Sequence, residues 1–144
     1  MKKFALAALA VATIGVTAAF AGPIEDRQAL MKSFAPSLKD ATALSRGTTP
    51  FTPAAAKAAM DPLVAAADKI PGMFPKGSDT GATKTTAAPA IWSDAAGFKA
   101  VAMKFGADAK AASAATDQTA FAAALKNVQA DCGGCHKTYR VAAN

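Results

Sequence analysis

Both cysteines and the only histidine of this 144-residue chain fall within five positions, Cys132-Gly133-Gly134-Cys135-His136. C-x-x-C-H is the attachment signature of a c-type haem: two thiols become thioethers on the haem vinyl groups, and the histidine supplies an axial ligand to iron. The rest of the chain is therefore read as a haem holder. Two rival readings of the same residues fail on chemistry. A structural zinc needs four ligands, and no further Cys or His completes the set. A disulfide or thioredoxin-like dithiol leaves His136 without a role. That redox motif also sits beside a strand-helix pattern near a helix start, whereas this pair stands within the last thirteen residues with no strand before it.

At the other end, Lys2 and Lys3 precede an apolar run from Phe4 to Phe20 that closes on the small-x-small sequence Ala19-Phe20-Ala21. The pattern is that of a secretory signal peptide, residues 1–21, cleaved after Ala21. The run is Ala-rich, short for a bilayer span and broken by Thr13, Gly15 and Thr17, which argues against a membrane anchor. Residues 22–144 then form one compact domain of 123 residues. Without Lys2 and Lys3 it carries fourteen basic residues against ten acidic ones, a net of +4, which two haem propionates bring near +2. The basic residues are scattered, with no arginine-rich run and little aromatic interleaving, so nucleic acid is not the expected partner. Ordinary solvated helix surfaces explain the lysines, with a face for an acidic redox partner as the other reading.

The apolar spacing places the box on a helix. Phe121, Leu125, Val128, Cys132, Cys135, Tyr139 and Ala142 step by four and three without a break, the core seam of a bundle helix. On that helix Cys132 and Cys135 are about 60° apart and roughly 4.5 Å along the axis, and His136 lies about 40° from Cys132. All three side chains share one side.

Three more helices are expected. Ile91, Ala95, Phe98, Ala102, Phe105, Ala109 and Ala112 repeat the rule from the Pro89 region to about Ala115. Another runs from Pro53 to Ile70, with Thr52 as N-cap, Pro53 at the tolerated first position and a stripe of Ala56, Met60, Leu63, Ala67 and Ile70. The first begins near Ile24, carries Met31, Phe34, Leu38 and Ala41 on one face and stops before Gly47. Pro62 and Pro36 are expected to kink or interrupt the helices that hold them. With no period-two run between them, the four make an all-α fold, an antiparallel four-helix bundle with one covalently bound haem c. The connection from Pro71 to Ala88 is long for a bundle and reads as a solvent-exposed loop, with a flap beside the haem edge as the alternative.

Arg27-Gln28-Ala29-Leu30-Met31-Lys32, Ile70-Pro71-Gly72-Met73-Phe74-Pro75, Pro89-Ala90-Ile91-Trp92 and Cys132-Gly133-Gly134-Cys135-His136-Lys137-Thr138-Tyr139-Arg140, in that order, resemble a class II cytochrome c. The group contains cytochrome c′ and cytochrome c-556. The resemblance implies a periplasmic protein with one haem c attached through Cys132 and Cys135, His136 as proximal ligand and Met31 at the position covering the other face of the iron. It further implies redox protein partners and admits a homodimer, which Ala-rich stripes on the first two helices permit without demanding.

Met31 divides two functions. A thioether on iron makes a six-coordinate His/Met haem suited to one-electron transfer. A Met31 that only packs over the haem leaves an open position for NO or CO, as in cytochrome c′. The Leu30-Met31-Lys32 run, and Phe74-Pro75 with its long loop to Ile91-Trp92, look more like cytochrome c-556. Gly72 stands where some cytochrome c′ chains have a tryptophan. A one-electron carrier rather than an enzyme is the expectation, and peroxidase chemistry lacks a second histidine as distal base. Arg27, one turn before Met31, is the candidate partner of a haem propionate, and the resemblance points the same way. Arg140, one turn beyond His136, is the candidate for adjusting the proximal field or haem edge. Both are otherwise surface arginines. Phe34, Phe74, Trp92, Phe98 and Tyr139 are candidate haem-wall residues.

Overall fold

The computed structural model describes residues 22–142. The expected signal peptide lies outside them. Four long helices carry the fold: α1 Pro23–Arg46, α2 Pro53–Ala67, α4 Ala95–Ser113 and α5 Gln118–Tyr139, with a single helical turn, α3 Ala90–Ser93, ahead of α4. A 3-10 turn, Ile70–Met73, follows α2. The long helices pack in a ring, α1 on α2, α2 on α4, α4 on α5 and α5 on α1. Short links after α1 and α4 make those neighbours antiparallel, so the architecture is the expected four-helix bundle.

Local chemistry sets the helix ends. Gly47, at φ 71°, closes α1 in the left-handed conformation that a side chain would resist. The Thr52 hydroxyl accepts from the Ala55 amide and starts α2, and Asp117 accepts from the Ala120 amide and starts α5. Both prolines stay inside unbroken helices, contrary to the expected interruption. Pro36 and Pro62 are exposed, and the carbonyls they leave free, those of Lys32 and Ala58, belong to exposed residues that water reaches. The buried stripes beneath then hold each helix through its proline.

Three boundaries depart from the periodic reading. The helix expected over 89–115 is broken at Asp94, whose φ of −124° and ψ of 55° are not helical. Its carboxylate instead caps α4 by accepting from the Gly97 amide. Helix α2 ends at Ala67, and Ile70 joins the core from the 3-10 turn. Helix α5 ends at Tyr139, and Ala142 lies exposed beyond it.

The core is tightest where all four helices meet away from the box. Met60, Leu63, Phe121 and Val128 are its largest fully buried side chains, joined by Ala41, Ala56, Ala109 and Ala112. Small residues let helices approach: a Cβ on Gly106 of α4 would stand 2.8 Å from the Cβ of Ala67 on α2. The loop over 74–89 is no idle solvent loop. Ala88 donates its amide to the Tyr139 carbonyl at 3.0 Å, Val141 donates to the Thr86 carbonyl at 2.9 Å, and Trp92 Nε1 donates to the Phe74 and Pro75 carbonyls at 3.1 Å each. The first two bonds fasten the loop to the end of the helix that carries the box, and those from Trp92 tie it to α3.

Candidate haem site

A cavity of about 550 Å³ opens between α1, α4, α5 and the loop. That lies within the size range of small-molecule and cofactor sites. Cys132, Cys135 and His136 of α5 line it together, as the 100° spacing requires, and Met31 and Phe34 line it from α1. Ile70, Phe98, Val101, Ala102 and Phe105 add an apolar wall. Both cysteines are half-buried free thiols. Burial pushes each thiol up from its ordinary pKa, helped by the Asp131 charge at Cys132 and by Cys132 at Cys135. Partial burial of the His136 ring, then the positive charge of Arg140, lowers its pKa and favours the neutral imidazole that metals bind.

Arg27 is buried, with 4% of its surface exposed. Its Nη1 donates to Ser78 Oγ at 2.9 Å, and its Nη2 donates to the Ser78 carbonyl at 2.7 Å and to Thr85 Oγ1 at 2.8 Å. The guanidinium also lies 4.8 Å from the centre of the Phe74 ring. Burial lowers its pKa. No carboxylate pairs with it among the described residues. A guanidinium has five N–H donors, so two remain beyond the three bonds to the loop.

Arg140 is exposed at the rim and donates Nε to Thr86 Oγ1 at 3.3 Å. Of the expected wall aromatics, Phe34, Phe74, Phe98 and Tyr139 line the cavity. Trp92 does not; it packs behind, edge-on to Phe74 at 6.3 Å. Edge-on contacts continue from Phe74 to Phe98 at 4.9 Å and from Phe98 to Tyr139 at 5.1 Å. Several lining or bracing residues carry no periodic signal in sequence: Ser78, Thr85, Thr86 and Asp94 are polar residues of loops and a helix end, and Asp131 lies within α5, each with a partner distant in the chain.

The donor set fits a c-type haem: two thiols and an imidazole on one wall, a thioether on the other helix, apolar side chains between, and a buried guanidinium with no carboxylate in ion-pair contact among the described residues. The family profile for cytochrome c′ matches residues 22–140. The chain belongs to the cytochrome c′ family, the class II cytochromes c. This class II cytochrome is 46% identical over 123 residues to cytochrome c-556 of Agrobacterium fabrum, covering 84% of this chain and 82% of that one. It is 35% identical over 120 residues to cytochrome c′ of Pararhodospirillum photometricum, covering 81% and 94%. Among solved structures, cytochrome c′ from Rhodopseudomonas palustris superposes with a TM-score of 0.77 at 28% identity, over 86% of this chain and 99% of that one. The class II cytochrome accordingly carries one covalently bound haem c, and Cys132 and Cys135 are its only thiols.

Proposed function

We propose that this cytochrome is a periplasmic one-electron carrier, exported by residues 1–21, in which His136 and Met31 would both ligate the iron of a bound haem. The observation that carries the reading is that Met31 of α1 lines the same cavity as Cys132, Cys135 and His136 of α5. When bound, haem c supplies an iron that takes up one electron from a donor and passes it to an acceptor. The chain's own part is to hold that iron in one environment. His136 presents a neutral imidazole from a helix that the loop braces at Tyr139 and Val141. Met31 presents a soft thioether from the first half of α1, partly buried and packed against the core. Arg27 offers its two remaining N–H donors to a propionate, and Arg140 sits at the rim beside the proximal helix.

No helix among the described residues is long and apolar enough to cross a membrane. The higher identity to a cytochrome c-556 than to a cytochrome c′ also favours the carrier. The competing reading, a five-coordinate protein that binds NO or CO, draws on the cytochrome c′ likeness in fold. Optical spectroscopy of the oxidised protein decides. The carrier requires a low-spin spectrum with a methionine-to-iron charge-transfer band that Met31→Ala abolishes. A high-spin spectrum, with rapid CO uptake by the reduced protein, would replace the carrier by the gas binder.

A further inference from the structure

Four residues bring a formally charged side chain to the cavity lining: Arg27, Lys32, Arg140 and Asp131. Only Asp131 is an acid, and it directly precedes Cys132. Its side chain is 10% exposed. One carboxylate oxygen, Oδ1, accepts from Lys104 Nζ of α4 at 2.6 Å. The other, Oδ2, is buried and receives no hydrogen bond among the described residues. Lys104 simultaneously donates to Asp108 Oδ2 at 2.6 Å, so one ammonium serves two carboxylates. The Lys104 side chain is 61% exposed, whereas that of Asp131 is turned inward. A buried anion with one oxygen unsatisfied is costly to keep unless something in the site uses its charge.

We propose that Asp131 and Lys104 form a charge pair that sets the reduction potential of the haem, Asp131 holding it down and Lys104 limiting that effect. The inference rests on the haem carrying electrons as argued above. Oxidised iron bears one more positive charge than reduced iron. A negative charge lining the same cavity therefore stabilises the oxidised form and makes electron uptake less favourable. Lys104 neutralises part of that charge from the solvent side, and its sharing with Asp108 leaves the trio with a net negative charge. At an effective dielectric of about 20, a unit charge acting over roughly 12–25 Å shifts the electron-uptake equilibrium roughly three- to tenfold. Solvent screens exposed charges far more, so the distant surface pair Lys57 and Asp61 serves as a control.

The link between Lys104 and Asp131 also staples α4 to α5, and a staple alone makes a different prediction. Losing either partner of a staple loosens the same contact, whereas losing opposite charges moves a potential in opposite directions. The test is optical redox titration of the haem-loaded protein and its Asp131→Asn, Lys104→Gln and Lys57→Gln variants. Asp131→Asn is expected to raise the electron-uptake constant about three- to tenfold, Lys104→Gln to lower it, and Lys57→Gln to leave it unchanged. Equal potentials in all four proteins, or shifts of the same sign in the first two variants, would overturn the assignment. If Asp131→Asn fails to accumulate, Lys104→Gln decides alone: a lowered constant supports the proposal, and an unchanged or raised one refutes it. The spectrum of the unmodified protein reports separately on Met31 ligation, so failure of the carrier reading is distinguishable from failure of this one.

Discussion

Tyr139 donates its hydroxyl to Asp94 Oδ2 at 2.8 Å, tying the last residue of the box-bearing helix to the break between α3 and α4. The other Asp94 oxygen, Oδ1, accepts from the Gly97 amide at 3.1 Å, so one carboxylate both starts α4 and anchors α5. Gly97 admits the arrangement because a Cβ there would stand only 2.7 Å from the Tyr139 hydroxyl.

Asp94→Ala removes a helix cap and a cross-helix acceptor together. The expected loss is about 2 kcal/mol of stability, seen as a lower midpoint in urea unfolding. Asp94→Asn, which retains one acceptor oxygen for the Gly97 amide but none for the Tyr139 hydroxyl, should recover about half of it.

Arg27→Met should free the loop. Three hydrogen bonds from a buried cation hold Ser78 and Thr85, and their loss is expected to cost about 2–4 kcal/mol. Trypsin cleavage after Lys76 and Lys84 should then accelerate at least about tenfold, because cleavage follows local opening. An unchanged cleavage rate would show that the remaining bonds, those to Tyr139, Val141 and Trp92 among them, hold the loop without Arg27.

The loop also responds to acid through Glu25. The Thr83 hydroxyl, which donates to its carboxylate, is the main reason its pKa is lowered. A depressed folded-state pKa means that this contribution is complete above the ordinary carboxylate range, near about 4.3, and is lost as pH falls through the folded value. Amide exchange at Ala87 and Ala88, whose amides donate to Thr85 Oγ1 and the Tyr139 carbonyl, should therefore rise below about pH 4 in the native protein once corrected for intrinsic rates. Glu25→Gln should remove that rise.

Phe121 is fully buried, meets the Phe51 ring at 5.7 Å in a tilted pair and does not line the cavity. Phe121→Ala should cost about 3–5 kcal/mol in denaturant unfolding. The oxidised haem spectrum should be unchanged, since the void forms away from the box.

Some of this molecule is legible in the chain because helix geometry is local. A step of 100° per residue puts Cys132, Cys135 and His136 on one side of α5 whatever surrounds them, and they line one cavity. The same rule finds Phe121, Leu125 and Val128 as core, all buried. It overreaches at Asp94, where period alone cannot register that a carboxylate satisfies the Gly97 amide better than another helical turn would. It also overreaches at Pro36 and Pro62, where the cost of a missing donor falls on the water side.

What tertiary structure alone decided concerns groups far apart in sequence. That Met31 shares a cavity with His136, that Arg27 is buried under a loop it holds at Ser78 and Thr85, and that Lys104 bridges Asp108 and Asp131 all depend on which helices become neighbours. Sequence determined the haem box, the helical seam beneath it and the bundle class, since thioether chemistry and helical period are written in adjacent residues. The electrostatic surroundings of the box were set by packing, because a charge acts through space and the chain order does not record distance.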